Sequence, residues 1–538
     1  MKNKQWANVA QHLLVHATER PEQPAVITAT DRLTFSQLEV QSNKCAQGLR
    51  KIGVKKGMRV GLMVRPGIDF VILSFALIKL SAVMVLIDPG IGQANLKKCL
   101  KEVEPEAFIG IPLAHAARIV LGWTPKVQIC VTVGGFKLWP GPFLQQVMHL
   151  GEQGNFKPEP SKTDELTALV FTSGSTGIPK GVCYTHGMFS AQAKLLQDHF
   201  DIRPGEIDLA TFPLFALFDP SMGVTAVFPE MDFTRPGTVD PIQIIDPIQK
   251  FGITHMFGSP ALLDRVGKHG KAHGIKLPTI KRVLSAGAPV SPRVLQTFSH
   301  MLDSGADIHT PYGATEALPI SSISAQEVLK ESGSSLGQGV CVGRPICGVQ
   351  LEFIRITDDP IDIWTNDLLV STGEMGELVV WGPNVSQSYL GHSEINRLAK
   401  IKGKRGEVRH RMGDVGYLDS EGRIWFCGRK SQRVVTSCGT LFTVSCEGIF
   451  NSHPKVHRSA LVGIGKAPKQ HPVLCVELND GEESSEDLKK EILQLGAAQP
   501  QTREIQDLLF HAAFPVDVRH NAKIGRESLA LWAGKQIT

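Results

Sequence analysis

The sequence predicts an α/β protein: a large N-terminal domain of mainly parallel sheets with helices and a β-subdomain, followed by a small α+β module. Three observations carry this. Short β-rich runs alternate with amphipathic stretches for most of the chain. Glu377 to Trp381 and Arg423 to Cys427, flanked by Gly and Asp turns, read as antiparallel strands. Beyond residue 429 the order of elements changes, and at 538 residues the chain exceeds what one core usually organises.

In order, the predicted strands of the large domain are Arg59 to Val64, Ala107 to Ile111, Val127 to Val133, Leu166 to Thr172, Ile253 to Phe257 and Arg282 to Ala286. Pro292 to Leu302 is a representative amphipathic helix between them. Phe70 to Ile87 is almost wholly apolar and near membrane-spanning length, but Lys79 interrupts it and Asp88-Pro89-Gly90 closes it. It reads as a buried helix followed by a parallel strand, Ala82 to Ile87. The domain boundary falls at 429/430, giving an N-terminal domain over 1–429 and a C-terminal domain over 430–538. The latter reads strand, hairpin, helix (Ser445 to Ser452), strands (Ser459 to Ile464, Val473 to Leu478) and helix (Glu486 to Leu495).

Composition narrows the function classes. Hydrophobic residues make up 42%, charged residues 20%, and the net charge is +5, ordinary for a soluble globular chain. No basic tract of five or more residues occurs, so nucleic acid is not implied. The ten cysteines contain no Cys-x-x-Cys pair, which argues for reduced thiols over a zinc ribbon or a disulfide framework. His453 and His457 in HPKVH are four apart, yet Pro454 between them favours a surface turn over two ligands on one helix face. The N-terminus, polar and then amphipathic, lacks a secretory pattern, so a cytoplasmic location is expected.

The sharpest local signal is Thr172-Ser173-Gly174-Ser175-Thr176-Gly177-Ile178-Pro179-Lys180-Gly181, directly after an apolar strand. Glycines let backbone N–H groups approach an anion, hydroxyls add donors, and the lysine adds charge. A Walker A loop cannot be laid over the string, because Pro179 precedes Lys180 and Gly181 follows it. A bare Ser/Gly turn is the bland alternative; the full string after a buried strand favours a nucleotide loop.

The string resembles the phosphate loop of the adenylate-forming superfamily, which includes acyl-CoA synthetases, adenylation domains and luciferases. Further segments resemble that superfamily in the same order: Tyr184-Thr185-His186, Ser285-Ala286-Gly287-Ala288-Pro289, Tyr312-Gly313-Ala314-Thr315-Glu316, Gly413-Asp414-Val415-Gly416-Tyr417, Gly428-Arg429 and Asn521-Ala522-Lys523-Ile524-Gly525-Arg526. The resemblance implies ATP as substrate and Mg²⁺ as its metal. Thr172, Ser173, Gly174, Ser175, Thr176, Gly177 and Lys180 would hold phosphates. Gly287, Ala288, Pro289, Tyr312, Gly313 and Thr315 would line the adenine and acyl sites. Asp414 would accept the ribose hydroxyls, and Arg429 would donate to ribose or phosphate. Glu316 and Thr176 would contact the metal, and Lys523 would place positive charge at the α-phosphate. Lys523 lies far in sequence from the phosphate loop, which implies that the C-terminal module is a mobile lid.

One departure stands out. Many acyl-CoA ligases carry Gly-Arg-x-x-Asp-x-Ile-Lys at the hinge, whereas Gln432 and Val435 stand here in place of the Asp and Lys. Phe212 to Pro220, Phe228 to Pro236, Cys341 to Pro345, Gly439 to Thr443 and Phe514 to Lys523 are similar to the β-lactone-synthetase branch of bacterial long-chain olefin biosynthesis. That resemblance implies adenylation of a long-chain β-hydroxy acid, followed by attack of its own hydroxyl to release AMP and a β-lactone. The Phe212 to Phe218 run is equally readable as an acyl channel or as core. His186 and Asp219 are candidates for the base that takes the hydroxyl proton, each with a structural alternative. The runner-up is a fatty acyl-CoA or acyl-AMP ligase, which alone would need coenzyme A. An amino-acid adenylating enzyme comes third, and the chain ends too soon after Lys523 for a carrier-protein domain. A non-catalytic nucleotide-binding scaffold is the reading from another class. The branch resemblance also implies association with olefin-pathway enzymes or with a membrane surface.

Overall fold

A computed structural model describes residues 8–152, 154–172, 179–331, 336–516 and 524–537. Two α/β sheets form the bulk of the N-terminal part. One runs, in spatial order, Ile129–Thr132, Ala107–Gly110, Arg59–Met63, Val83–Ile87, Leu166–Thr172 and Lys180–Thr185. All its pairings are parallel except the last, where Leu166–Thr172 and Lys180–Thr185 run antiparallel with Thr172 opposite Lys180. The other sheet has a parallel centre, Pro24–Ile27, Thr225–Val227, Ile207–Leu209, His255–Phe257, Arg282–Leu284 and Asp307–Ala314. Antiparallel strands, Arg32–Thr34 at one side and Ala317–Ser324 at the other, flank it. The sheets are therefore mixed, and the predicted parallel character holds for their centres.

Predicted strands tend to stop short where glycine or proline turns the chain. Arg282 to Ala286 ends at Leu284, because Ser285–Pro289 leaves the sheet with Gly287 at φ +94°. Val127 to Val133 is paired only over Ile129–Thr132. The helix predicted from Pro292 is Pro292–Ser299, with the Ser291 side chain capping the Val294 N–H and proline in the first turn, where its missing N–H costs nothing.

The long apolar segment is a helix, Ile68–Lys79, buried on every side from Phe70 onward, and a fully buried strand, Val83–Ile87. Lys79 is fully buried, and its ammonium bonds Glu39 Oε2 at 2.8 Å, Ser42 Oγ at 2.7 Å and Asn43 Oδ1 at 2.6 Å. Those partners are what allow a charge inside an apolar run. Among the described residues no helix is long and apolar enough to cross a membrane.

An antiparallel sheet of Val340–Cys341, Ile424–Arg429, Val408–Leu418, Gly376–Trp381 and Gln350–Ile354 makes the β-subdomain. After Arg429 come the hairpin Val434–Val435/Thr440–Leu441 and the sheet Val456–Ile464, His471–Leu478 and Asp507–Phe510. Helices Thr443–Phe450, Glu486–Ala497 and Arg526–Ile537 accompany it. His453 and His457 fall in the turn before Val456–Ile464 and at that strand's start, on no common helix. All ten cysteines are free.

Candidate active site

Open α/β sheets bind ligands outside the carboxyl ends of their parallel strands. Ile207–Leu209, His255–Phe257, Arg282–Leu284 and Asp307–Ala314 lead there into Thr211–Phe212, Ser259, Ser285–Pro289 and Thr315–Glu316, all of which border one cleft. Its volume is about 3580 Å³, several times the roughly 300–1,000 Å³ of a drug-sized site. It therefore holds more than one ligand's worth of space. It continues to Glu447, Arg458 and Ile524–Arg526 of the C-terminal part.

Two neighbouring strands build the polar end. Asp414 and Arg429 are register partners, and the guanidinium lies 2.9 Å from Asp414 Oδ1 while donating to the Met412 carbonyl at 3.0 Å. The Tyr312 hydroxyl donates to Asp414 Oδ2. Asp414 Oδ1 accepts no hydrogen bond among the described residues, although it is buried. The Arg429 guanidinium 2.9 Å away compensates its charge, as a buried carboxylate requires. Burial pushes the Asp414 carboxyl up, with Arg429 and Tyr312 opposing. Gly313 sits in the tight connection to the next strand, where a Cβ would lie 2.7 Å from the Ala317 carbonyl.

Glu316 is placed by two contacts. Its carbonyl accepts the Ser386 N–H at 2.8 Å, and its Oε1 accepts the Tyr389 hydroxyl at 2.7 Å. The Tyr389 ring has Lys180 Nζ 5.6 Å and Lys400 Nζ 5.3 Å from its centroid. Lys400 donates to Ser386 O at 2.6 Å and Ser386 Oγ at 2.9 Å, and burial pushes its ammonium down to about 7. Glu316, with one oxygen engaged, is suited to a Mg²⁺ that otherwise takes phosphate and water oxygens, a common pattern for nucleotide-bound magnesium.

The apolar end is aromatic. Phe212, Phe215 and Phe257 form a cluster with centroids 4.8–5.7 Å apart, and all three border the cleft. Ala216, Leu217 and Phe218 are buried. The Phe212 to Phe218 run thus serves both expectations: Phe212, Phe215 and Phe218 border the cleft, while Ala216 and Leu217 are core.

Beside that wall lies a buried acid pair, Asp208 and Asp219, both bordering the cleft. Asp219 Oδ2 has no hydrogen-bond partner among the described residues. Burial, together with the Asp208 charge, pushes Asp219 well above the usual carboxylate range. His255 Nε2 stands 3.6 Å from Asp208, and its Nδ1 stands 3.3 Å from Glu206, which pairs with Arg282. Burial works to raise Glu206, but bonds from His255 and Arg282 outweigh it and hold it at about 2. His186, the other candidate base, does not border the cleft. It is fully buried, its Nδ1 accepts the Val9 N–H at 3.4 Å, and burial pushes it down to about 4.

Of the residues expected at the site, Lys180, Gly287, Ala288, Pro289, Tyr312, Gly313, Thr315, Glu316, Asp414 and Arg429 all border the cleft. Ser173, Gly174, Ser175, Thr176, Gly177 and Lys523 lie outside the described residues, as does the side chain of Thr172. Sequence reasoning missed Tyr389, Lys400, Asp208 and His255. None has a local motif; an isolated tyrosine or lysine in a strand pattern looks like any other.

The cleft, the strand-end loops and the ordered motifs define an adenylate-forming enzyme. Residues 13–390 match the AMP-binding enzyme family, and the chain belongs to that family. It is 45% identical, over 98% of both chains, to the olefin beta-lactone synthetase of Stenotrophomonas maltophilia. The olefin beta-lactone synthetase of Xanthomonas campestris is 44% identical over the same share of each chain. The fold is that of the amide bond synthetase of Marinactinospora thermotolerans, with TM-score 0.81 at 19% identity over 98% of this chain and 99% of that one. The O-succinylbenzoate coenzyme A synthetase of Bacillus subtilis, in complex with ATP and magnesium, aligns with TM-score 0.75 at 20% identity, covering 96% of this chain and 98% of that one.

Proposed function

We propose that this enzyme activates a long-chain β-hydroxy acid as its acyl-adenylate and closes it to a β-lactone. The observation that carries the reading is full-length similarity to two olefin beta-lactone synthetases, joined to a cleft with a polar nucleotide end and an aromatic acyl end. In the first step a carboxylate oxygen attacks the α-phosphorus and pyrophosphate departs. Tyr312 and Asp414 suit adenosine, while Arg429 and Lys180 offset the charge of two approaching anions. Bound Mg²⁺ would neutralise phosphate charge, with Glu316 and Thr176 as its protein contacts. Lys523 is assigned to the α-phosphate, and the flanking Ile524, Gly525 and Arg526 border the cleft. The domain boundary at 429/430 fits a lid that closes on the cleft and then moves.

In the second step the substrate's hydroxyl oxygen bonds to the acyl carbon, the acyl–phosphate bond breaks, and AMP leaves with the electron pair. The hydroxyl proton passes to the Asp208–Asp219 pair, which borders the cleft and in which Asp219 Oδ2 has no hydrogen-bond partner among the described residues. The nucleophile is tethered, so proximity replaces a second substrate, and the phenylalanine wall keeps water from the anhydride. The absence of the Asp and Lys usual at the acyl-CoA ligase hinge, Gln432 and Val435 standing instead, agrees with a reaction that needs no thiol.

The test compares a long-chain β-hydroxy acid with the same acid lacking the hydroxyl. Multiple turnovers of pyrophosphate release with the hydroxy acid, and a single stoichiometric burst with the deoxy acid, are expected. Equal steady-state release from both would refute hydroxyl-driven closure.

A further inference from the structure

The helix Pro112–Val120 reads PLAHAARIV, with Arg118 its only permanently charged residue. Leu113, Ile119 and Val120 on it are 52–81% exposed, and Phe136 and Leu138 on the nearby loop are 67% and 87% exposed. Large apolar side chains gathered in this way mark a contact surface. Helix and loop are one unit. The Trp139 ring stacks on His115 at 5.1 Å and 21°, and its Nε1 donates to Thr132 Oγ1 at 2.9 Å. Gly135, at φ +60°, packs so close that a Cβ would lie 2.9 Å from the Pro112 ring.

The charge of this region is one-sided. Between Glu106 and Glu152 the sequence has no aspartate or glutamate, in a chain with 52 of them, while Arg118, Lys126 and Lys137 lie in the same span. Lys126 pairs with Glu104 at 2.7 Å. Lys137 sits between Phe136 and Leu138 at the loop tip, with its ammonium 4.8 Å from the Phe143 ring. With Lys126 offset by Glu104, Arg118 and Lys137 remain interleaved with exposed aromatic and aliphatic residues, a pattern that matches an anionic bilayer surface. The patch also meets the cleft: Leu113, exposed on the surface, borders it together with Ile111, Ala114, Ala117 and Trp123.

We propose that helix Pro112–Val120 and loop Gly134–Gly141 dock the protein on an anionic lipid bilayer, so that an apolar arm of the cleft opens at the membrane. Phe136 and Leu138 enter the headgroup–acyl boundary, Lys137 and Arg118 meet lipid phosphates, and a fatty substrate passes beside Leu113 without crossing water. The route for substrate rests on the proposed function; the lipid contact does not.

The experiment is flotation of the full-length protein with phosphatidylglycerol or phosphatidylcholine vesicles, for wild type and for the double variant Phe136→Asp/Leu138→Asp. The wild type is expected to float with phosphatidylglycerol vesicles, with at least a tenfold loss in the double variant, in high salt and on phosphatidylcholine. Pyrophosphate release with a short soluble acid serves as the folding check and is expected unchanged in the variant. A folding defect there moves the comparison to the single variant Val120→Asp, read the same way. Failure of the wild type to float, or equal flotation of wild type and folded variant, overturns the proposal. So does a patch variant that abolishes self-association of a wild type that binds no vesicle, which would make the patch a contact between copies. Lipid binding by a protein that forms no lactone would leave the docking surface standing and remove only the proposed reaction.

Discussion

Replacing Glu377 by glutamine tests how the segment leading into the C-terminal part is anchored. Glu377 is 1% exposed, and its Oε2 accepts Arg411 Nε at 3.1 Å, Arg411 Nη2 at 2.6 Å and Lys430 Nζ at 3.1 Å. One buried carboxylate thus serves two cations, the second only one residue beyond Arg429. Removing one partner of a buried pair costs about 3–5 kcal/mol, because the remaining charge stays buried. Arg411 keeps the carbonyls of Thr357, Asp359 and Leu398, so the lower end, about 3 kcal/mol, is expected. Trp364, Trp381 and Trp425 lie in this subdomain, so urea unfolding followed by tryptophan fluorescence reports on it. Arg433→Ala is the contrast: its partner Asp358 has a side chain 69% exposed, and the expected cost is about 0–1 kcal/mol. A Glu377→Gln loss below that of Arg433→Ala would refute the reasoning that this carboxylate balances the buried Arg411 and the half-buried Lys430.

Two further outcomes follow from the buried titratable groups. Asp219→Asn should slow lactone formation at least tenfold while pyrophosphate release in a single turnover changes little; a parallel loss of both would make Asp219 a structural acid. His186 is held neutral down to about pH 4 by burial, whereas in the unfolded chain it protonates near 6.5. The unfolded state therefore binds more protons between those values, and stability falls as pH drops from 6.5 to about 4, then levels off below it. The size is about 3 kcal/mol at roughly 1.4 kcal/mol per pH unit. Urea midpoints across that range should fall less steeply in His186→Gln than in the wild type, and identical slopes would contradict this account of His186.

The nucleotide end was readable because its chemistry is written in contiguous strings. Tyr312 to Glu316 and Gly413 to Tyr417 each put a functional side chain in a turn-rich segment, and the fold brings Tyr312 and Asp414 into contact across 102 residues. Where partners come singly from distant strands, the sequence is silent. Asp208 and His255 are paired only because Ile207–Leu209 and His255–Phe257 are neighbours in parallel register, and nothing near either residue announces that pairing. Lys79 shows the converse. It argued against a membrane span because it was a charge in an apolar run, but its acceptors Glu39, Ser42 and Asn43 lie on another helix and were not legible. Strand ends were misplaced where a turn such as Ser285–Pro289 follows directly, since apolar composition continues after the ladder stops.

The most direct test of the central claim is product identification after incubating the pure protein with ATP, Mg²⁺ and a long-chain β-hydroxy acid, with and without coenzyme A. A β-lactone formed at the same rate in both conditions is the predicted result. A thioester that requires coenzyme A, with no lactone in its absence, would contradict it and make the enzyme an acyl-CoA ligase with an altered hinge.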